Sequence, residues 1–289
     1  MILSYNSSHQ VRKIIQLTKP GIIMGNLIPA IAGFFLGSNG IIDVKLLYMV
    51  LGTALVIASG CIFNNYIDRD IDALMNRTKN RILATKEFSG TLALAFGIII
   101  GIGGFGVLYY ESNHLSAYLG AIGWFFYVVL YSLYAKLRTV FSVHIGSISG
   151  AIPALIGYTS FTNNIDTPAI LFFLLMVIWQ MPHSFALSIF NAEDYARSGV
   201  PTVFSKKGIR YVRISMLVYI VLLTLINLSL TYVSHLGVFH TLNALILGLY
   251  WIHLSIKGFH AHDIVKWSKK MFFTSIIIIT LSCVSISIG

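Results

Sequence analysis

Asn64-Asn65-Tyr66-Ile67-Asp68-Arg69-Asp70-Ile71-Asp72 closes a hydrophobic run that begins at Tyr48, and Arg77, Lys79 and Arg81 follow it at once. A run of about twenty apolar residues is the length that crosses a bilayer as a helix, so the polar side chains fall where that helix meets water. Three acids are costly there. With about 3.6 residues per turn, Asn64, Asp68 and Asp72 stack one turn apart on a single face. Like charges at that spacing repel, so the face calls for cations between its acids. A hard divalent ion, Mg²⁺ holding a substrate phosphate, suits the pattern better than an all-protein cage, because Mg²⁺ keeps waters and typically takes only one or two carboxylates. The basic residues one to two turns later supply the other half of a phosphate site. The plainer reading is a solvated helix cap followed by a topology signal. Acids at a membrane edge tilt the balance toward function.

The rest of the chain has the same character. Hydrophobic residues make up 56% of it and charged residues 10%, which excludes an ordinary soluble domain and defines an all-α integral membrane protein. Apolar runs long enough to span predict nine transmembrane helices, at about 20–37, 46–66, 91–110, 115–135, 141–159, 168–190, 212–232, 236–256 and 270–288. They recur without a break, so residues 1–289 read as one membrane domain. Of the twenty Lys and Arg, all but Lys45 fall in the amino-terminal tail or after spans two, four, six and eight. Positive-inside then places the N-terminus in the cytoplasm and the C-terminus outside. The net charge of +10 reflects this topology, and no nucleic-acid partner is expected. The polar, basic first fifteen residues do not have the form of a cleaved signal peptide. Cys61 and Cys283 lie in separate spans, and no disulfide is expected.

Two long connections, Arg69–Gly90 and Asn191–Arg210, lie on the basic side, where a site mouth is expected. Glycines within spans three and five, Gly97, Gly101, Gly103, Gly104, Gly106, Gly146, Gly150 and Gly157, read as close helix packing. Pro153 and Pro182 are expected to kink or open their helices around a central cavity.

Three further constellations join the first. Asn191, Glu193, Asp194, Tyr195 and Arg197 follow span six as Asn64–Asp72 follows span two. If the two ends face each other, Asp68, Asp72 and Asp194 clamp a metal–diphosphate between them. The alternative is that Glu193 and Asp194 merely cap a loop helix. Lys136 and Arg138, after span four, are either membrane anchors or binders of a leaving diphosphate, whose charge a protein must neutralise. Trp179-Gln180-Met181-Pro182-His183-Ser184-Phe185 puts an imidazole inside a span, where His183 is a haem ligand, a general base or a satisfied core residue. His144 and His253 also lie within spans and are weaker candidates. There is no glycine-rich nucleotide loop, paired-cysteine zinc motif or credible Ser-His-Asp order.

Taken together, Asn64-x-x-x-Asp68-x-x-x-Asp72, Met75-x-Arg77-Thr78-x-Asn80-Arg81, Tyr131-x-x-x-x-Lys136, Gly150-Ala151-x-Pro153 and Trp179–Phe185 running into Asp194-Tyr195 resemble the intramembrane prenyltransferases of the UbiA superfamily, in its haem-modifying branch. The match extends from about residue 15 to about 260. It departs from the superfamily at Asn65, where Asp is common, and at Asn191, where a basic residue is usual. The resemblance implies a UbiA-type fold and transfer of a farnesyl group from farnesyl diphosphate to a vinyl group of haem B, with addition of water, giving haem O and diphosphate. It implies Mg²⁺ held by Asn64, Asp68, Asp72 and Asp194, with Asn64, Arg77, Arg81, Lys136 and Arg138 on the diphosphate. It implies Asp68, Asp72, Lys136 and His183 as the catalytic group, and Tyr66, Tyr131 and Trp179 as aromatic faces toward an allylic cation. Haem B is then substrate, and a terminal oxidase assembly or a haem A synthase is the expected recipient. The cell inner membrane is the expected location. The competing readings are a prenyltransferase acting on a quinone or aromatic precursor, and a non-catalytic haem carrier or oxidase assembly protein.

Overall fold

The computed structural model describes residues 14–289, so the expectations for the amino-terminal tail, including its basic Arg12 and Lys13, lie outside the described residues. The described residues form helices α1 (Pro20–Ser38), α2 (Lys45–Asp72), α3 (Gly90–Val107), α4 (His114–Phe125), α5 (Ser142–Thr162), α6 (Thr167–Phe190), the short α7 (Ala192–Arg197), α8 (Val203–Val233), α9 (Val238–Lys257) and α10 (Ile264–Ile288). Local sequence marks where several begin. Asp166 caps α6 by accepting from the Ala169 N–H, with Pro168 in the first turn, and Thr202 and Ser205 form a reciprocal capping box on α8.

Among the described residues, eight helices are long and apolar enough to cross a membrane, and large apolar side chains such as Ile98, Ile99, Ile102, Leu222, Leu225 and Ile277 stand exposed on them. Such a surface is stable only against lipid. The ninth expected span, α5, is as long but carries Ser142, His144, Ser147, Ser149, Thr159 and Ser160. Its position supplies the reason. Residues 151–160 are buried on every side, with α1, α4 and α6 packed around them, so α5 does not depend on an apolar surface. Gly157 lies directly against the Ala30 carbonyl and Gly33 against that of Ala154, an approach of two backbones that a Cβ on either glycine would block. Of the span-three glycines, Gly104 packs on Val56 and Gly52, whereas Gly103 and Gly106 face open space and contribute nothing to packing.

The breaks in the helices fall away from the expected places. α5 and α6 run uninterrupted through Pro153 and Pro182; the interruption is at Gly208, whose φ of 76° breaks α8. α3 ends in a π-helical turn, Leu108–Ser112, and α4 continues as a longer π-helical segment, Phe126–Ala135. There the Lys136 N–H reaches back five residues to the Tyr131 carbonyl at 2.9 Å. π-turns are uncommon and concentrate at functional sites.

Candidate active site

The helix α2 carries its polar residues into the interior. Asp68 and Asp72 are only 2% and 3% exposed, which rules out the solvated-cap reading. Each is paired with a cation. Lys136 Nζ lies 2.5 Å from Asp68 Oδ2 and Arg81 Nη1 lies 2.7 Å from Asp72 Oδ2. The π-segment delivers Lys136 to this place, and it also delivers Ser132, whose hydroxyl accepts from Asn64 Nδ2 at 2.8 Å. Asn64 Nδ2 also reaches Asp68 Oδ2 at 2.9 Å, and Asn64 Oδ1 accepts from the Lys19 ammonium. Asp68 Oδ1 is buried without a protein partner among the described residues.

A buried bare carboxylate oxygen is costly. It is the kind of donor a hard cation takes, so the residues fit Mg²⁺. Among the described residues no three His, Cys, Asp or Glu side chains gather closely enough to hold a metal by themselves, so Asp68, Asp72 and Asp194 do not converge on one ion. Asp194 instead receives the backbone N–H groups of Asn76 and Arg77 at 3.1 and 3.3 Å. The segment after α6 is thereby tied to the segment after α2, and the two polar motifs do face each other. Tyr195, beside Arg77, has its phenol raised by burial, with the guanidinium opposing the rise. Asn191 caps α6 through the Leu187 carbonyl. Arg138 is not brought in: it is exposed and lies over the Tyr134 ring.

Lys19 is a member that the sequence reading missed. Its backbone is left-handed, with φ 52°, an unfavourable conformation for a non-glycine residue before proline. Asn65 Nδ2 holds the preceding turn by the Leu17 carbonyl at 2.8 Å. Burial lowers the Lys19 ammonium to about 8, and Arg81 adds repulsion. A basic residue directly before the first span, followed by proline, was the available signal.

Next to this cluster opens an apolar chamber of about 640 Å³, lined among others by Cys61, Trp124, Tyr127, Tyr131, Ile152, Trp179, Gln180 and His183. Its two ends differ. Tyr131 and Cys61 lie within one turn of Ser132 and Asn64, so the polar cluster borders that end. Tyr127 and Tyr131 lie nearly parallel at 6.1 Å. Tyr66, expected among the aromatic faces, instead packs on Gly90 under Arg69; Trp124 and Tyr127 take its place. On the α6 side of the lining, the His183 ring packs on those of Trp179 and Phe272, and Gln180 donates to the Ser147 carbonyl at 3.0 Å. Neither weaker histidine candidate lines the chamber; His144 meets the Tyr219 hydroxyl at 3.1 Å. Both cysteines are free and buried.

Cations and buried carboxylates at the mouth of an apolar intramembrane chamber suit a substrate with a diphosphate head and an apolar tail. The profile of the UbiA prenyltransferase family matches residues 26–277, and the chain belongs to that family and is a prenyltransferase. It is 42% identical over 280 residues to protoheme IX farnesyltransferase 2 of Pseudomonas putida strain W619, covering 96% of this chain and 94% of that one. It is 43% identical to the protoheme IX farnesyltransferase of Pseudomonas syringae pv. syringae strain B728a, covering 96% and 95%. Among solved structures, a digeranylgeranylglyceryl phosphate synthase superposes with a TM-score of 0.81 at 18% identity, over 97% of this chain and 98% of that one. A UbiA homolog from Archaeoglobus fulgidus bound to GPP and Mg²⁺ superposes with a TM-score of 0.71 at 14% identity, over 95% and 99%.

Proposed function

We propose that this prenyltransferase moves the farnesyl group of farnesyl diphosphate onto a vinyl group of haem B. One observation carries the transfer chemistry: the buried, cation-paired Asp68 and Asp72 at the end of an apolar chamber. The names of the relatives support the choice of acceptor. Asn64, Asp68 and Asp72 would hold Mg²⁺, with Asp194 ordering the loop that faces it. Bound there, Mg²⁺ supplies neutralisation of the diphosphate as it leaves.

The chain's own residues do the rest. Lys19, Lys136, Arg77 and Arg81 place positive charge at the leaving group, which favours breaking the C1–O bond of farnesyl diphosphate. The chamber excludes bulk water from the allylic cation, and the faces of Tyr127, Tyr131 and Trp124 attract its charge. The terminal vinyl carbon forms the new C–C bond, which moves the cation next to the porphyrin. Water adds there and loses a proton, so haem O, diphosphate and one proton are the products. Arg138, exposed and turned to Tyr134, serves the membrane surface better than the diphosphate. The same proposal sets the mouth on the cytoplasmic face of the inner membrane, the N-terminus in the cytoplasm and the C-terminus outside, on the distribution of Lys and Arg. A terminal oxidase or a haem A synthase would take the product.

The test is purified protein with haem B, farnesyl diphosphate and Mg²⁺, following porphyrin mass by liquid chromatography beside Asp72→Asn. A gain of one farnesyl plus one water, lost in the variant, is the expected result. Unchanged haem B alongside prenylation of an added quinone precursor would refute the acceptor. Unchanged haem B without Mg²⁺-dependent diphosphate release would refute the enzyme reading and favour a carrier.

A further inference from the structure

His183 is held more tightly than a wall residue needs to be. Its ring centroid is 4.9 Å from that of Trp179 and 4.4 Å from that of Phe272, both tilted by 31°. Nδ1 lies 2.7 Å from Ser275 Oγ. A serine hydroxyl has one proton, and that of Ser275 goes to the Phe272 carbonyl at 2.6 Å. Ser275 is therefore an acceptor toward the imidazole. The proton sits on Nδ1, and Nε2 carries a lone pair. Nε2 has no hydrogen-bond partner among the described residues, and the residue borders the chamber. The Trp179 indole donates to the Ser275 carbonyl at 2.9 Å, so one residue of α10 fixes both the ring and its stacking partner on α6.

A neutral imidazole with one nitrogen committed to a neighbour and the other bare is how proteins prepare histidine for a transition metal. We infer that His183 ligates the iron of haem B through Nε2 and that Ser275 is the positioning residue that sets its tautomer and ring angle. This rests on haem B being the acceptor. Ligation would bind no group covalently changed in the reaction. It would hold the macrocycle against α6 and α10, leaving a vinyl edge to meet the farnesyl chain.

The experiment titrates haem B and metal-free protoporphyrin IX into the full-length protein in detergent, for wild type, His183→Ala and Ser275→Ala, reading Soret absorption and the iron–imidazole band in resonance Raman spectra. Wild type should bind haem B more tightly than the metal-free ring. His183→Ala should lose that difference and the band, with haem B weakened by at least about tenfold, and free imidazole should restore the band. Ser275→Ala should keep a shifted band and weaken haem B by about tenfold, the usual effect of removing a metal ligand's hydrogen-bond partner, with the metal-free ring unaffected. Mg²⁺-dependent binding of farnesyl diphosphate, unchanged in both variants, reports that the fold is intact. A band that survives in His183→Ala, or an equal loss for both porphyrins, overturns the ligation while haem B stands as acceptor. Unchanged binding of both with turnover abolished makes His183 a base and also overturns it. Wild type that binds neither porphyrin overturns the ligation and the acceptor together.

Discussion

Replacing Asp68 by Asn removes one negative charge from a place where the ammonium of Lys136 has little access to water; the side chains are 3% and 13% exposed. Breaking a buried pair from one side costs about 3–5 kcal/mol, because the surviving charge is left uncompensated. The partial exposure of Lys136 puts this case at the lower end, about 3 kcal/mol. Turnover should fall further than stability explains. The bare Asp68 Oδ1 would no longer carry anionic charge for the metal and diphosphate, and loss of one such stabilising group costs about 4 kcal/mol, or about a thousandfold in rate. The informative variant is therefore Asp68→Asn combined with Lys136→Gln. Thermal unfolding in detergent should return to within about 1 kcal/mol of wild type, since both charges are gone, while turnover stays at least about a thousandfold down. If turnover recovers together with stability, Asp68 and Lys136 only stabilise each other, and neither serves the metal or the diphosphate.

Arg81→Gln should raise the KM for farnesyl diphosphate by about tenfold, consistent with loss of one charge-assisted contact, which steady-state kinetics would show; an unchanged KM would mean that Arg81 serves Asp72 alone. Removing divalent ions with a chelator should stop turnover, and added Mg²⁺ should restore it; chelator-resistant activity would exclude the ion from the reaction. Gly157→Ala, which drives a methyl into the Ala30 carbonyl, should lower stability by at least about 2 kcal/mol. Gly103→Ala, which meets nothing within 4 Å, should stay within about 0.5 kcal/mol of wild type, and equal losses would refute the packing account.

The sequence is legible wherever one rule acts by itself. Apolar run length located the helices, most of them within a few residues, although α2 runs on to Asp72, α8 begins at Val203 and α10 at Ile264, and the one-turn spacing of Asn64, Asp68 and Asp72 placed them on one face because α2 is regular there. Prediction failed where tertiary structure overrode the local pattern. Tyr66 falls beside the acids in sequence but turns toward Gly90, on the side of α2 that packs against α3. Tyr127 lines the chamber from the π-segment that continues α4, and no propensity announces such a segment. Lys19 reaches Asn64 through a left-handed backbone that Asn65 steadies, a contact 45 residues apart in sequence. The prolines drew attention from Gly208, where the helix breaks, because it lies in the basic stretch Lys206-Lys207-Gly208-Ile209-Arg210 before the apolar run.

The burial of α5 also bears on how the chain enters the membrane. A segment with several hydroxyls and a histidine in place of aliphatic side chains partitions poorly into lipid by itself. Its favourable surroundings exist only once α1, α4 and α6 are at hand. α5 should thus be inserted as one unit with α4, to which only a few residues join it, and be retained by docking on α1. The helix most enclosed by its neighbours is the one whose membrane integration depends most on them, on α1 and α4 made before it and on α6 made after.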